Sequence, residues 1–457
     1  MAPDQPDSAR LDGDIRVDVC IVGGGFTGLW TAIRLKEAQP NLDVAIVEAR
    51  HCGSGASGAN AGYMVPYWVH FPTFEALAGT DEALRLCRAS ALAGKEISDF
   101  AQQHNIDIEL QQNGVIWGST CDAQTGHWRD ALARLERHQL HPFEKLTAQE
   151  IEERTGVRGY IAGVLEKHSS TVQPALLVRG LRKVAMQRGV RIFEDTPMTN
   201  LVRRSPAKVV TASGTITAER VVLAMYAWSL GIAELGSALV AIRSDGLITV
   251  PQPENIAALG WQNGPAIMSS HHFTEACRTT VDGRVLFNKP GGGQVFSTAV
   301  DASLKTTSRK TTVMRDALSE YYPTLSGAPV DTHWTGSIDR TRSGLPLFGN
   351  LPGHANIFYG FGFSGRGIIP TFLGGRILSA LVRGVPDEWS QCPLVRPVDR
   401  SFPPEPIKYF GGALVRGAMT KADSLDHQAR KHDLFTRTLL NFKPGHWSRR
   451  RGGNTQH

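Results

Sequence analysis

The chain has 457 residues, of which 41% are hydrophobic, 8% aromatic and 20% charged, a composition that fits a folded protein of more than one domain and excludes general disorder. No apolar run approaches the roughly 18 residues of a membrane-crossing helix, which argues against stable membrane insertion. The net charge of +6 resides in residues 401–457, where ten Lys/Arg face four Asp/Glu, so the body is charge-balanced and gives no reason to expect nucleic acid as a partner.

The first ten residues are polar and lack the basic start and apolar stretch of a secretory signal. Six cysteines are scattered without a CxxC pair or a Cys/His metal spacing. They read as reduced thiols, no metal is expected, and a cytoplasmic location follows.

Residues 17–22 are a β-branched run with the composition of a buried parallel strand. Residues 29–38 place Leu29, Ala32, Ile33 and Leu35 in helical spacing, and Val44-Ala45-Ile46-Val47 is a second strand ending at Glu48. Between the first strand and the helix lies Gly23-Gly24-Gly25-Phe26-Thr27-Gly28. A GxGxxG pattern alone is weak, but inside a βαβ unit with an acid ending the next strand it predicts a dinucleotide site. Gly23 permits the tight turn, Gly25 lets a pyrophosphate approach the backbone, and Gly28 lets helix and strand pack closely. The helix N-terminus offers N–H groups to the phosphates, and Glu48 can accept from the ribose hydroxyls. Residues 49–63 are rich in glycine and small side chains and do not continue the β-α alternation usual in a nicotinamide enzyme. They suit a second backbone cradle along an extended cofactor.

Farther along, residues 81–105 read as a helix, 115–117 as a strand, 174–188 as a helix opened by proline, and 190–193 as a strand. Residues 209–222 predict a hairpin turning at Ser213-Gly214, with 221–224 buried. Residues 284–287 begin a strand-rich region with a turn at Gly291-Gly292-Gly293. A strand, a glycine turn and an amphipathic helix return across residues 357–381. The basic extension predicts helices within 407–440 and disorder over roughly the last ten residues, including 449–453.

The motifs in residues 19–29, Glu48-Ala49, residues 55–62, His333-Trp334-Thr335-Gly336, Leu345-Pro346-Leu347-Phe348-Gly349 and residues 362–367 resemble a superfamily of FAD-dependent oxidases acting on D-amino acids, glycine and sarcosine. The likeness runs from about residue 14 to 420 and is strongest to the gamma-glutamylputrescine oxidase-like branch. An aminophosphonate oxidoreductase subgroup is also similar, including Pro403-Pro404-Glu405-Pro406.

The resemblance implies an α/β fold: a Rossmann-type FAD-binding domain (14–100, 150–235 and 335–390) interleaved with an α+β, mixed-sheet substrate-binding domain (101–149 and 236–334). A basic extension, 391–457, follows. It implies that Gly23, Gly25, Phe26, Thr27 and Gly28 hold the pyrophosphate and that Glu48, Ala49 and Arg50 meet the adenosine ribose. Gly55, Ala56, Ser57, Asn60, Ala61 and Gly62 would follow the pyrophosphate and flavin edge. The Met198 segment would meet the adenine, and Gly365, Arg366, Gly367 and Ile368 would sit at the pyrimidine end of the flavin.

Three departures from the family pattern carry information. Asn60 stands where covalent members place a flavin-tethering histidine, so non-covalent FAD is expected. Tyr226 stands where glycine is usual after the adenine-side strand. Ile338 stands where amino-acid oxidases place a carboxylate-binding arginine, which disfavours an ordinary α-amino acid.

The implied reaction takes hydride from a C–H beside a primary or secondary amine and gives an imine, hydrolysed to an aldehyde plus amine or ammonia. The expected substrate carries a remote acid: 2-aminoethylphosphonate, its N-methyl form, or a γ-glutamyl amine. Arg366, His272 and Tyr63 are the catalytic candidates, and Arg340, Lys289 and Tyr67 the substrate-binding ones. O2 or another acceptor would complete the cycle, an oxidase being favoured over a dehydrogenase, and a homo-oligomer stays open. A NAD-dependent dehydrogenase and a non-catalytic FAD-containing electron-transfer subunit are the alternatives.

Overall fold

The computed structural model describes residues 9–295, 300, 311–398 and 400–445. The segment expected to be disordered, including 449–453, lies outside the described residues.

Short β-branched runs buried on both faces become parallel strands because only a sheet covered on both sides can bury every side chain. Val44–Val47 is buried at all four positions. It lies in a parallel core of five strands ordered His354–Phe361, Thr215–Leu223, Ile15–Val22, Val44–Val47 and Arg191–Phe193. Leu347–Leu351 adds an antiparallel edge, Ala207–Val210 and Thr215–Leu223 form the hairpin expected to turn at Ser213-Gly214, and Asn200–Val202 adds a further antiparallel strand to Ala207–Val210.

The helices Phe26–Ala38 and Ile368–Arg383 pack together on this sheet. Trp30 is fully buried, with the rings of Phe100 and Phe372 edge-on at 4.9 Å each. Gly375 sits so close that a Cβ there would lie 2.6 Å from Trp30 Cβ. The glycine pair inside the second helix therefore brings two helix backbones together, and the helix runs past the expected end at 381 to Arg383. Burying Phe372 at this junction contributes about 2–3 kcal/mol.

The second sheet has the order Val330–Thr341, Leu239–Thr249, Val285–Val295, Ala276–Thr279, Ala266–Ser269, Val115–Ser119, Ala162–Glu166 and Phe143–Thr147. It is antiparallel except where Ala266–Ser269 runs with Val115–Ser119, so it is mixed as expected. Residues 162–166 and 335–341, which the sequence places with the nucleotide-binding half, pair into this sheet. No Pro or polar break marks residue 334, and the strand simply continues through Trp334-Thr335-Gly336.

The turn expected at 291–293 is not formed. These glycines lie inside the strand Val285–Val295, where the register to Leu239–Thr249 shifts between Ile242 and Ser244. Three small residues opposite Arg243 make an irregular bulge rather than a reversal, a use of glycine that looks the same in sequence.

The extension forms the helices Ile407–His427 and Leu434–Leu440, within the range expected. Asp433 caps the second by accepting from Thr436 N at 2.9 Å. Among the described residues, no helix is long and apolar enough to cross a membrane.

Candidate functional site

A cavity of about 870 Å³ opens between the two sheets. Gly23, Gly25, Phe26 and Thr27 line one end, followed by Glu48, Ala49 and Arg50 at the end of the neighbouring strand. Gly28 lies behind the turn, where a Cβ would stand 2.0 Å from Gly23 O. Glu48 is fixed at both carboxylate oxygens, accepting from Gly24 N at 2.8 Å and from Arg50 N at 3.1 Å.

The loop after Glu48 is held from several sides. Cys52 N donates to Glu194 Oε1 at 2.6 Å, and the same buried carboxylate pairs with Arg182 Nε at 3.0 Å. Asn60 Nδ2 donates to Ser57 O at 2.9 Å while its Oδ1 accepts from Gly62 N at 2.8 Å. Trp334 Nε1 donates to Ala59 O at 2.9 Å and Arg278 Nε to Ala61 O at 2.7 Å, so the second sheet braces the loop. Ser57 Oγ accepts from Phe26 N at 2.9 Å, joining the two glycine segments. Gly55, Ala56, Ser57, Asn60 and Ala61 line the cavity, as does Met198; Gly62 packs behind, against Val172 O.

Gly365, Arg366, Gly367 and Ile368 line the cavity from the turn that opens the helix Ile368–Arg383. Asp339, fully buried, organises that turn. It accepts from Gly362 N through Oδ2 and from Ser364 N through Oδ1 at 3.3 Å. Ile338 packs beneath it, 3.4 Å from where a Gly365 Cβ would sit. Tyr226, at the position where glycine is usual, has φ +51 and stacks on Phe363 with centroids 6.3 Å apart. The left-handed conformation is thus kept by a non-glycine residue, at a cost of about 1 kcal/mol or more.

Arg366 donates through Nη1 to His70 Nε2 at 2.6 Å and lies over the Trp117 ring at 4.6 Å. Burial, reinforced by the Arg366 charge, holds His70 well below the usual imidazole range, so its ring accepts as the neutral form. Burial also pulls the Arg366 guanidinium down to about 10. Arg340 lines the cavity nearby, its Nε buried without a hydrogen-bond partner and its guanidinium unmatched by any ion pair among the described residues. His272 lines the cavity and meets Lys443 Nζ through Nδ1 at 2.7 Å. Tyr63 lines it too, but its hydroxyl donates to Cys277 O at 2.9 Å. It stands as part of the cavity wall, and burial keeps the phenol far above its usual range.

Two candidates fall outside the cavity lining. Lys289 is ion-paired with Glu275, and Tyr67 is a core residue packed edge-on to Phe74 at 5.1 Å. Asp339, His70 and Lys443 were not legible as site residues; Trp334 stood out only as part of the His333-Trp334-Thr335-Gly336 motif, without a role.

Behind Arg366 sits Glu166, fully buried, with neither carboxyl oxygen hydrogen-bonded. Burial pushes it up to about 8, against the pull of Ser169 and Arg366. A carboxyl raised on folding adds stability that is complete below the ordinary carboxylate range and is lost as pH rises through about 8. Glu166→Gln mimics the protonated form and is expected to melt above the wild type at pH ~8.5 and level with it near pH ~5. Parallel melting curves at both pH values would show that Glu166 does not titrate.

The residues present fit a dinucleotide cofactor. Both helix N-termini at the cavity, Phe26–Ala38 and Ile368–Arg383, have no side-chain bond from the N-cap residue and no acid in their first turn; apart from Phe26 N, which Ser57 Oγ takes, this leaves their first N–H groups and positive ends for an anionic or electron-rich group. The family model described as FAD dependent oxidoreductase, DAO, matches residues 18–381. Over 378 residues the chain is 29% identical to gamma-glutamylputrescine oxidoreductase of Escherichia coli strain K12, covering 82% of this chain and 85% of the relative. It is 24% identical to a glycine oxidase of Bacillus licheniformis, covering 82% of this chain and 96% of the relative. The fold is similar to that of the crystal structure of glycine oxidase from Geobacillus kaustophilus, with a TM-score of 0.68, 21% identity, and coverage of 84% of this chain and 99% of that one.

Proposed function

We propose that this chain, which belongs to the DAO family of FAD-dependent oxidoreductases, oxidises a primary or secondary amine that carries a remote acidic group. FAD is its cofactor, and the nicotinamide alternative falls away. When bound, FAD supplies the two-electron acceptor for a hydride leaving the carbon beside the amine. The resulting imine is hydrolysed to an aldehyde and an amine or ammonia.

The chain's own residues bind, orient and neutralise. The Gly23–Gly28 turn and Ser57 would hold the pyrophosphate, Glu48 the ribose, and residues 365–368 the pyrimidine edge of the ring, without a covalent tether, since Asn60 is engaged within its own loop. His272 at the cavity wall, its Nδ1 held by Lys443 Nζ at 2.7 Å, is placed to orient the amine end of the substrate. Arg340 is the observation that carries the substrate class. A half-buried guanidinium that faces a cavity, has its Nε unpartnered and has no carboxylate at ion-pair distance among the described residues, with Asp339 acting on it only through its field, is favoured by an anion arriving there. Ile338, in place of an α-carboxylate clamp, moves the acid away from the reacting carbon. Aminophosphonates such as 2-aminoethylphosphonate, and γ-glutamyl amines, meet this description. Five of the six free cysteines are buried, which supports a reducing, cytoplasmic setting.

Anaerobic mixing of the holoenzyme with 2-aminoethylphosphonate, a γ-glutamyl amine, and neutral ethylamine tests the reading. An acid-tailed amine is expected to bleach the flavin with an apparent second-order rate about 100-fold above ethylamine. Return of colour on admitting air would mark O2 as the acceptor. Equal bleaching by ethylamine would overturn the acidic-tail assignment.

A further inference from the structure

The basic extension does more than follow the catalytic body, because its last described residues form a wall of the cavity. Lys443, Pro444 and Gly445 line it beside His272, Arg340 and Gly344. The strap is tied by three contacts to one residue. Gly445 N donates to Arg342 O at 2.9 Å, Arg342 Nη2 donates to Asn441 O at 2.8 Å, and the Arg342 guanidinium lies over the Phe442 ring at 6.0 Å. Gly344 and Gly445 pass so closely that a Cβ on Gly344 would meet Gly445 Cα at 3.1 Å.

The helices before the strap are fixed as well. His272 N donates to Asp423 Oδ1 at 2.9 Å, the His271 and His427 Nε2 atoms are 2.9 Å apart, and Lys421 pairs with Asp433 at 2.8 Å. Lys443 is therefore delivered to a defined place.

Of the cations in the described lining, Arg50 sits beside Glu48, the one carboxylate there, which is bound to the glycine turn, while Arg340 lies near enough to Arg366 and to Lys443 to act on both. Arg366 leans on a neutral imidazole, Arg340 has no ion pair, and Lys443 contacts the His272 ring. Asp423 acts on Lys443 from behind, but burial and the Arg340 charge together outweigh it and pull the ammonium down to about 8. Like charges gathered in one concavity are stabilised when an anion joins them.

We propose that Lys443 is a specificity-determining residue, brought by the C-terminal strap to complete with Arg340 and Arg366 a receptor for the acidic tail of the substrate. The proposal rests on the acidic-tail reading above and assigns part of that site to the extension. The tail it suits best is a doubly charged oxyanion, since three cations face the cavity while the carboxyl groups acting on them, Asp339, Glu166 and Asp423, lie outside its described lining.

The test uses FAD-loaded full-length protein, Lys443→Met, Lys443→Arg, and a chain ending at Leu440. Oxidised enzyme is titrated with methylphosphonate, which cannot reduce flavin, and reduced anaerobically with 2-aminoethylphosphonate. Lys443→Met and the shortened chain are expected to weaken both ligands about tenfold or more, with FAD content unchanged, and Lys443→Arg to recover most of the loss. The limiting rate of flavin bleaching should change far less than the apparent Kd. Unchanged methylphosphonate affinity in Lys443→Met would overturn the proposal, as would an equal loss toward ethylamine. If no amine bleaches the flavin yet methylphosphonate binds through Lys443, the amine-oxidation reading fails and the anion receptor stands. If amines bleach but Lys443→Met binds methylphosphonate like the wild type, the receptor fails alone.

Discussion

Gly28→Ala is expected to yield folded protein that has lost most of its FAD. The new Cβ would stand 2.0 Å from Gly23 O and 3.2 Å from Ile21 Cγ2. Neither neighbour can retreat easily. Gly23 N donates to Val47 O at 2.9 Å, and Gly23 itself, at φ +112, already lies against Ala224 O, where a Cβ would come within 2.5 Å. Overpacking of this kind costs about 1–3 kcal/mol. The cheapest relief is to lift the helix Phe26–Ala38 off the strand, which moves the N–H groups meant for the pyrophosphate. FAD affinity by equilibrium dialysis should fall about 10- to 100-fold, while Gly231→Ala, with open space around its Cβ position, should keep the cofactor. Full FAD occupancy in Gly28→Ala would remove the cradle assignment.

Asp339→Asn should damage the other end of the same cofactor. The wild-type carboxylate accepts from the N–H groups of Gly362 and Ser364 and so fixes a turn whose residues Gly362, Ser364 and Gly365 all have positive φ. Asparagine keeps one acceptor and turns the other into a donor, so one buried N–H group faces another. Losing a buried hydrogen bond to a charged group costs about 1.5–3 kcal/mol, or roughly 10- to 100-fold in an equilibrium. The readouts are FAD affinity and a shifted absorbance of the flavin that remains bound. Because Asp339 acts by placing residues 362–367, a spectrum and affinity identical to wild type would show that the turn stands without it.

The cofactor cradle was legible in the sequence because its demands are local. Gly23, Gly25 and Gly28 answer to one turn, and Glu48 ends the adjacent strand, so spacing carries nearly all the information. The substrate side obeys no such spacing. His70 and Arg366 meet across 296 positions, and Trp334 reaches Ala59 across 275. Lys443 looked like one more charge in a basic tail, because the fold that carries it to His272 leaves no trace in its neighbours along the chain. Lys289 illustrates the reverse error: a cation beside a glycine run suggested an anion site, yet Glu275 neutralises it. The glycines at 291–293 suggested a reversal and instead absorb a bulge, since glycine signals backbone freedom without saying how it is used.

The strap across Arg342 also sets an order of assembly. A ribosome delivers residues from the N-terminus onward, so every strand of both sheets has been synthesised before Lys443 leaves the peptidyl-transferase centre. The growing chain can acquire its nucleotide cradle before it can select an amine. Premature termination between residues 384 and 442 would therefore produce a different kind of failure from an early stop: a truncated polypeptide with the strands of both sheets and both cradle helices but no discriminating wall.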